Sequence, residues 1–260
     1  MRRPSFPFTQ TYAFLSTYAE EKRRIRPLSK YLEMLSLFGV GGAHPGGLAF
    51  SKAVLTKAAP PPGEPILDAG CGTGQTAAYL GHLLYPVTCV DKDPLMLEKA
   101  AKRFAAEGLT IPGYLAELER LPFAENQFSA VLSESVLTFS NLDSSLSEIL
   151  RVLKPGGMLI GIEAALQKPM PENAITQIKD FYGFTVLQDE TAWKQRLLQQ
   201  GFQKADFIPA VYENNAQEPT TEMDLSPVIQ PVHYDTLTAH YELMQTYREY
   251  MGHCAFVAYK

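Results

Sequence analysis

Between residues 66 and 162 the chain alternates short apolar runs with longer amphipathic ones. Ile66-Leu67-Asp68-Ala69 reads as a strand and residues 75–84 as a helix. Residues 87–90 and 94–104 repeat the pair, with Pro94 at a helix start, where its missing N–H is harmless. Further strands are predicted at Tyr114-Leu115, at Ala130-Val131-Leu132 and over 158–162. The helix expected over 142–153 stops at Lys154-Pro155-Gly156-Gly157, where Pro and Gly cannot continue it. Strands alternating with helices at this interval predict a parallel sheet with right-handed crossovers. Two more strands, 205–211 and 254–259, flank a helical stretch near 237–250.

Upstream, residues 8–60 lack strand alternation. Tyr12, Phe14, Leu15 and Tyr18, then Leu28, Tyr31, Leu32, Leu35 and Phe38, recur at helical spacing. The stretch from Gly39 to Gly47 interrupts the pattern, and Gly46-Gly47 opens another helix running to about Lys57. Pro60-Pro61-Pro62-Gly63 reads as a linker. The expected organisation is a helical N-terminal extension or lid over 1–60. An α/β domain follows over 61–260, with a helical insertion at about 213–251.

Composition narrows the class. A chain of 260 residues that is 46% hydrophobic has ample material for a packed core. A net charge of −5 makes no field that gathers nucleic acid or a membrane surface. The basic run within 20–30 (Lys22, Arg23, Arg24, Arg26) has no interleaved aromatic platform, so it reads as a solvated helix face, with an RNA contact as the alternative. Cys71, Cys89 and Cys254 share neither metal-ligand spacing nor a disulfide framework, which favours a reducing compartment. Arg2-Arg3 invites an export reading, yet residues 5–11 mix polar, aromatic and Pro residues, and no apolar run suits a signal peptide or membrane span. A cytoplasmic protein is expected.

The chemistry concentrates at Gly70-Cys71-Gly72-Thr73-Gly74, between the first predicted strand and helix. Such a turn lets a ligand approach the backbone and meet a helix N-terminus. Gly72-x-Gly74-x-x-Ala77 formally satisfies the dinucleotide fingerprint, with Asp91 placed for a ribose, so a nicotinamide oxidoreductase is one reading. A phosphate-cradling P-loop is excluded by the absence of its Lys-Ser/Thr pair. Asp68, two residues before Gly70, would repel a pyrophosphate and attract an ammonium.

Residues 66–74 as a whole resemble the first motif of class I S-adenosylmethionine-dependent methyltransferases. Val90-Asp91-Lys92-Asp93-Pro94, Glu117-Leu118-Glu119-Arg120-Leu121-Pro122-Phe123, Phe128-Ser129-Ala130-Val131-Leu132 and Leu153-Lys154-Pro155-Gly156-Gly157 match the same family in order. The resemblance spans roughly 48–165 and is strongest to the subgroup of ubiquinone- and menaquinone-pathway and other small-molecule methyltransferases. It implies a Rossmann-like, seven-stranded, mostly parallel sheet with an antiparallel last strand and helices on both faces. It also implies methyl transfer from S-adenosylmethionine to a small molecule, leaving S-adenosylhomocysteine, with an RNA acceptor as the alternative. No membrane partner is expected, and the chain would be a monomer or homodimer.

By that resemblance Asp91 accepts from both ribose hydroxyls, Glu117 (where the family more often has Asp) takes the adenine amino group, and the Leu118 N–H reaches a ring nitrogen. Asp68, Gly70, Cys71, Gly72, Lys92 and Ser133 complete the cofactor set, and Gln75 and Thr76 are candidates for the methionine carboxylate. In-line displacement at a sulfonium needs positioning and exclusion of water rather than a metal. Ser133, Glu134 and Ser135 end the fourth strand, where Glu134 is a candidate base or orienting group. In Ala43-His44-Pro45-Gly46-Gly47, His44 is a candidate base beside a helix opening whose N–H groups would meet the carboxylate, against a plain helix-entry turn. His233, Tyr234 and His240 fall in the late insertion, where this fold often builds an acceptor lid.

Overall fold

The computed structural model describes residues 27–44, 46–209 and 222–260. The aromatic stripe at Tyr12–Tyr18, the basic run at 22–26 and all of 210–221 therefore lie outside the described residues. Two helices come first, α1 (Lys30–Phe38) and α2 (Gly47–Ala58). There follow β1 (Ile66–Ala69), α3 (Gln75–His82), β2 (Val87–Asp91), α4 (Pro94–Ala106) and β3 (Gly113–Leu115). Next come β4 (Phe128–Glu134), a single turn at Leu137–Phe139, α5 (Leu142–Val152) and β5 (Leu153–Leu166). The chain closes with α6 (Glu172–Tyr182), α7 (Glu190–Gln200), β6 (Lys204–Ile208), α8 (Pro231–Tyr247) and β7 (Met251–Tyr259).

The seven strands form one sheet in the order β3-β2-β1-β4-β5-β7-β6. β1 pairs in parallel with both β2 and β4, while β7 runs antiparallel to β5 and β6. The order reverses between β1 and β4, and their carboxyl ends open the crevice where such sheets bind ligands. Central strands here are buried on both faces, so β4 reads as a nearly continuous buried run. One face is covered by α5 and α7 through Leu146, Ile149, Trp193 and Leu197, and the other by α2, α3 and α4 through Val54, Ala77, Leu80 and Phe104.

Local chemistry sets the boundaries. Asp93 caps α4 by accepting from Leu95 N–H at 2.9 Å, and Asn141 caps α5 by accepting from Ser144 N–H at 3.1 Å. The Lys154–Gly157 break is not a loop ahead of the fifth strand. It is a bulge inside β5, whose register against β4 shifts between Phe128 and Ala130. Pro155 has no N–H to give a ladder, and Gly156 takes a left-handed φ of 74°.

Two helices occupy a region that hydrophobic periodicity leaves unassigned. α6 buries only Ala174, Ile178 and Tyr182, and α7 only Trp193 and Leu197, each one turn apart. Together with α1, α6 builds a third apolar cluster (Tyr31, Met34, Phe38, Ile178, Tyr182, Leu187) beyond the sheet edge, and α8 lays Leu237, Leu243 and Tyr247 against it. A strap at 222–226 runs antiparallel to 37–41: Gly41 N–H donates to Glu222 O, Asp224 N–H to Gly39 O and Ser226 N–H to Leu37 O.

Candidate active site

β1 delivers its backbone into the glycine turn, which β2 holds from beside. Gly70 and Cys71 N–H both donate to Val90 O, at 2.7 and 3.0 Å. Gly70 has φ 88°, and a Cβ there would stand 2.3 Å from Val136 Cγ2, so neither the conformation nor the space admits a side chain. Gly72 has φ 53°, and a Cβ built on it meets nothing within 4 Å. The backbone there faces open cavity, as close approach to a ligand requires.

Asp91, ending β2, accepts from Gly72 N–H through Oδ2 and from Asp93 N–H through Oδ1, both at 2.8 Å. Each oxygen keeps a further lone pair, enough for two ligand hydroxyls. Burial pushes its pKa up to about 6, against the opposing pull of those two N–H groups. The Cys71 thiol, which lines the cavity, is held well above its ordinary range by the Cys89 thiol and by burial, so it is not a nucleophile.

A cavity of about 800 Å³ opens over this loop and runs to the third apolar cluster. Gly70, Cys71, Gly72, Gln75, Thr76, Asp91, Lys92, Glu117 and Leu118 all lie on its wall, as do His44 and Glu134. Asp68 and Ser133 are not among the lining residues. Asp68 is 2% exposed beneath the loop, and burial, helped by Glu134 and Asp91, holds its carboxyl well above the usual range. Ser133 alternates away from Glu134 along β4 and donates to Glu163 Oε1 at 3.1 Å. The wall itself is acidic: among the described lining residues, Asp91, Asp93, Glu117, Glu119 and Glu134 face a single Lys92. Five carboxylates oppose a pyrophosphate and suit a ligand carrying an ammonium and a sulfonium.

At the far side of the loop, Thr76 Oγ1 donates to Glu134 Oε2 at 2.7 Å, and His44 Nε2 lies 3.8 Å from the same oxygen and 3.0 Å from Ser51 Oγ. Gly47 N–H is taken by His44 O at 3.1 Å, so the wall there is made by Gly42, Ala43 and His44 rather than by the helix opening. Gln75 is tied to Glu222 of the strap at 2.9 Å. Of the late-insertion residues, His233 caps α8, accepting from Gln230 N–H at 2.9 Å, and Tyr234 packs edge-on to Phe38 while half exposed; only His240 reaches the cavity.

Several site residues carry no sequence motif. Glu163, inside β5 and fully buried, accepts from the N–H groups of Val136, Leu137 and Thr138 and from the hydroxyls of Ser133 and Thr138. It thereby fixes the turn after β4, where Ser135 adopts φ 54°. A carboxylate at the end of an apolar strand was its only visible signal. Tyr31, Tyr182, Phe184 and His253 reach the wall from elements that fold together only in three dimensions.

The donor set also fits the implied cofactor on a direct observation. Thr73 Oγ1 and Glu134 Oε1 are buried, lie on residues of the wall and have no hydrogen-bond partner within the protein. The strand order, the loop at the switch point and the acidic wall define a class I methyltransferase, and residues 67–161 match a family model described as a methyltransferase domain. The chain belongs to the class I S-adenosylmethionine-dependent methyltransferases.

It is 70% identical, over 90% of its own length and all of the relative's, to "Uncharacterized methyltransferase YodH" of Bacillus subtilis. It is 30% identical to the ubiquinone/menaquinone biosynthesis C-methyltransferase UbiE of Chromobacterium violaceum, over 69% of this chain and 82% of that one. Among solved structures, Haemonchus contortus phosphoethanolamine N-methyltransferase 2 in complex with S-adenosyl-L-methionine shares the fold at TM-score 0.68 and 18% identity, over 89% of this chain and 56% of that one.

Proposed function

We propose that the protein transfers a methyl group from S-adenosylmethionine to a small organic acceptor held in the apolar half of the cavity. The observation that carries this is continuity: one cavity has the glycine loop and acidic wall at one end and the aromatic, Met-rich cluster of α1, α6 and α8 at the other. The bound cofactor supplies an activated methyl on sulfur. The protein's share is then orientation and exclusion of water.

In this reading Asp91 holds the ribose, Glu117 and Leu118 border the adenine, and Lys92 flanks them. Gln75 and Thr76, at the start of α3, meet the methionine carboxylate. Glu134 and His44 stand where the two halves meet. Glu134 orients the acceptor, and His44 receives a proton when the attacking atom carries one. Of the helical N-terminal extension, α1 serves as a lid on the cavity, whereas α2 packs on the sheet as part of the catalytic domain. Among the described residues no helix is long and apolar enough to cross a membrane, and we read the protein as cytoplasmic.

The test combines two measurements. S-adenosylhomocysteine, but not NADH, should raise the melting temperature, and methyl-labelled S-adenosylmethionine should label a component of a deproteinised, RNA-free metabolite extract. Stabilisation by NADH alone, or label appearing only in added tRNA, would overturn the assignment.

A further inference from the structure

The acceptor half of the cavity contains one polar pair that the methyl-donor site does not use. Tyr182 Oη and His240 Nδ1 are 3.1 Å apart, and both residues line the wall. Tyr182 comes from the end of α6 and is 3% exposed; His240 comes from the middle of α8. Tyr31 of α1 packs against both, edge-on to the Tyr182 ring at 4.7 Å and 5.3 Å from the imidazole. The pair therefore ties together the three helices that enclose this end of the cavity.

Its surroundings are otherwise without charge. Around the pair, α1 and α8 line the wall with Leu32, Leu35, Leu237, Met244 and one more tyrosine, Tyr241, and none of the described lining residues from α1, α6 and α8 is Lys, Arg, Asp or Glu. A charged group brought there would lose its water and gain no counter-charge. Burial lowers the His240 pKa and raises that of Tyr182 to about 12, so both partners are neutral near pH 7. A neutral Tyr–His pair has a further property. If the phenol donates to Nδ1, the imidazole keeps an N–H at Nε2 and the phenol oxygen keeps a lone pair. If Nδ1–H donates instead, the phenol keeps its O–H and Nε2 its lone pair. Either way the pair retains one donor and one acceptor.

Resting on the methyltransferase reading above, we propose that Tyr182 and His240 form the specificity site for the acceptor, which is an uncharged, largely apolar molecule anchored here through a hydroxyl or carbonyl group. The pair recognises a group that either gives or takes a hydrogen bond. The apolar wall around it rejects carboxylates, phosphates and ammonium groups.

The experiment uses the full chain saturated with S-adenosylhomocysteine and three probes of one shape: naphthalene, 2-naphthol and 2-naphthoate, titrated by saturation-transfer NMR. Calorimetry with S-adenosylhomocysteine comes first, so failure of the donor site is seen separately. The expected result is that 2-naphthol binds about ten-fold more tightly than naphthalene and more tightly still than 2-naphthoate, as one or two hydrogen bonds in an apolar site would produce. In His240→Phe and Tyr182→Phe, which keep ring volume, the preference for 2-naphthol over naphthalene should fall to about two-fold or less. Binding of 2-naphthoate as tight as that of 2-naphthol in the wild-type protein would overturn the proposal without any variant. So would a preference for the naphthol that survives in both variants while S-adenosylhomocysteine still binds.

Discussion

Asp91 and Glu163 are buried carboxylates with opposite duties. Asp91 holds the loop and offers lone pairs to a ligand. Asp91→Ala is expected to weaken S-adenosylhomocysteine binding by about 1–3 kcal/mol, measured by calorimetry. Its raised pKa of about 6 adds a pH signature. The folded protein holds this proton more tightly than the unfolded chain. Asp91 therefore favours folding most below its ordinary range near pH 4, and that contribution is lost as pH rises through about 6. Ligand hydroxyls need the ionised form, so binding runs the other way. Affinity should drop about ten-fold from pH 7 to pH 5, and Asp91→Asn should flatten the profile. Glu163 acts on the backbone instead. Glu163→Ala strands the buried N–H groups of Val136, Leu137 and Thr138 and should cost on the order of 3 kcal/mol in urea unfolding, while the isosteric Gln variant loses less. Of these residues Asp91 was legible in sequence because a motif surrounds it. Glu163 was not, because four of its five donors come from a turn whose shape only the finished sheet decides. Asp68 shows the complementary difficulty: its place before the loop was plain, but its burial, which pushes its carboxyl above the usual range, shows only in the folded chain.

At the scale of elements, the strands and helices from β1 to α5 follow directly from their patterns, because each βα unit is local and is punctuated by Pro, Gly or an Asp or Asn cap. α6 and α7 do not. Their apolar faces are single-turn pairs, Ile178 with Tyr182 and Trp193 with Leu197, too sparse to outweigh the polar residues between them. The caps were the better signal: Asp189 accepts from Ala192 N–H at 2.8 Å at one end of α7, and Gly201 closes the other. Sparse faces still matter energetically. Trp193 is fully buried, donates from Nε1 to Ala164 O at 3.3 Å and packs 5.8 Å from the Phe256 ring. Trp193→Ala should cost about 3–5 kcal/mol in chemical denaturation, the range for emptying an aromatic site in a core.

For the whole molecule, the seven-stranded sheet opens one cavity at its switch point, and α1 and α8, far apart in sequence, wall its apolar side. The class of donor was readable from ordered motifs; the acceptor chamber was not, since its walls come from segments far apart in sequence. Saturating S-adenosylhomocysteine, at a hundred times its dissociation constant, should add about 2.7 kcal/mol of stability. A thermal shift with no matching effect of NADH is the readout. The strap at 222–226 has one more consequence. Met223 lines the cavity, and Glu222 bonds Arg103 at 2.9 Å as well as Gln75. One carboxylate, shared between two elements, thus clasps the strap to the donor pocket. Stopped-flow release of S-adenosylhomocysteine should quicken in Glu222→Ala and, in the wild-type protein, with rising salt that screens this exposed clasp.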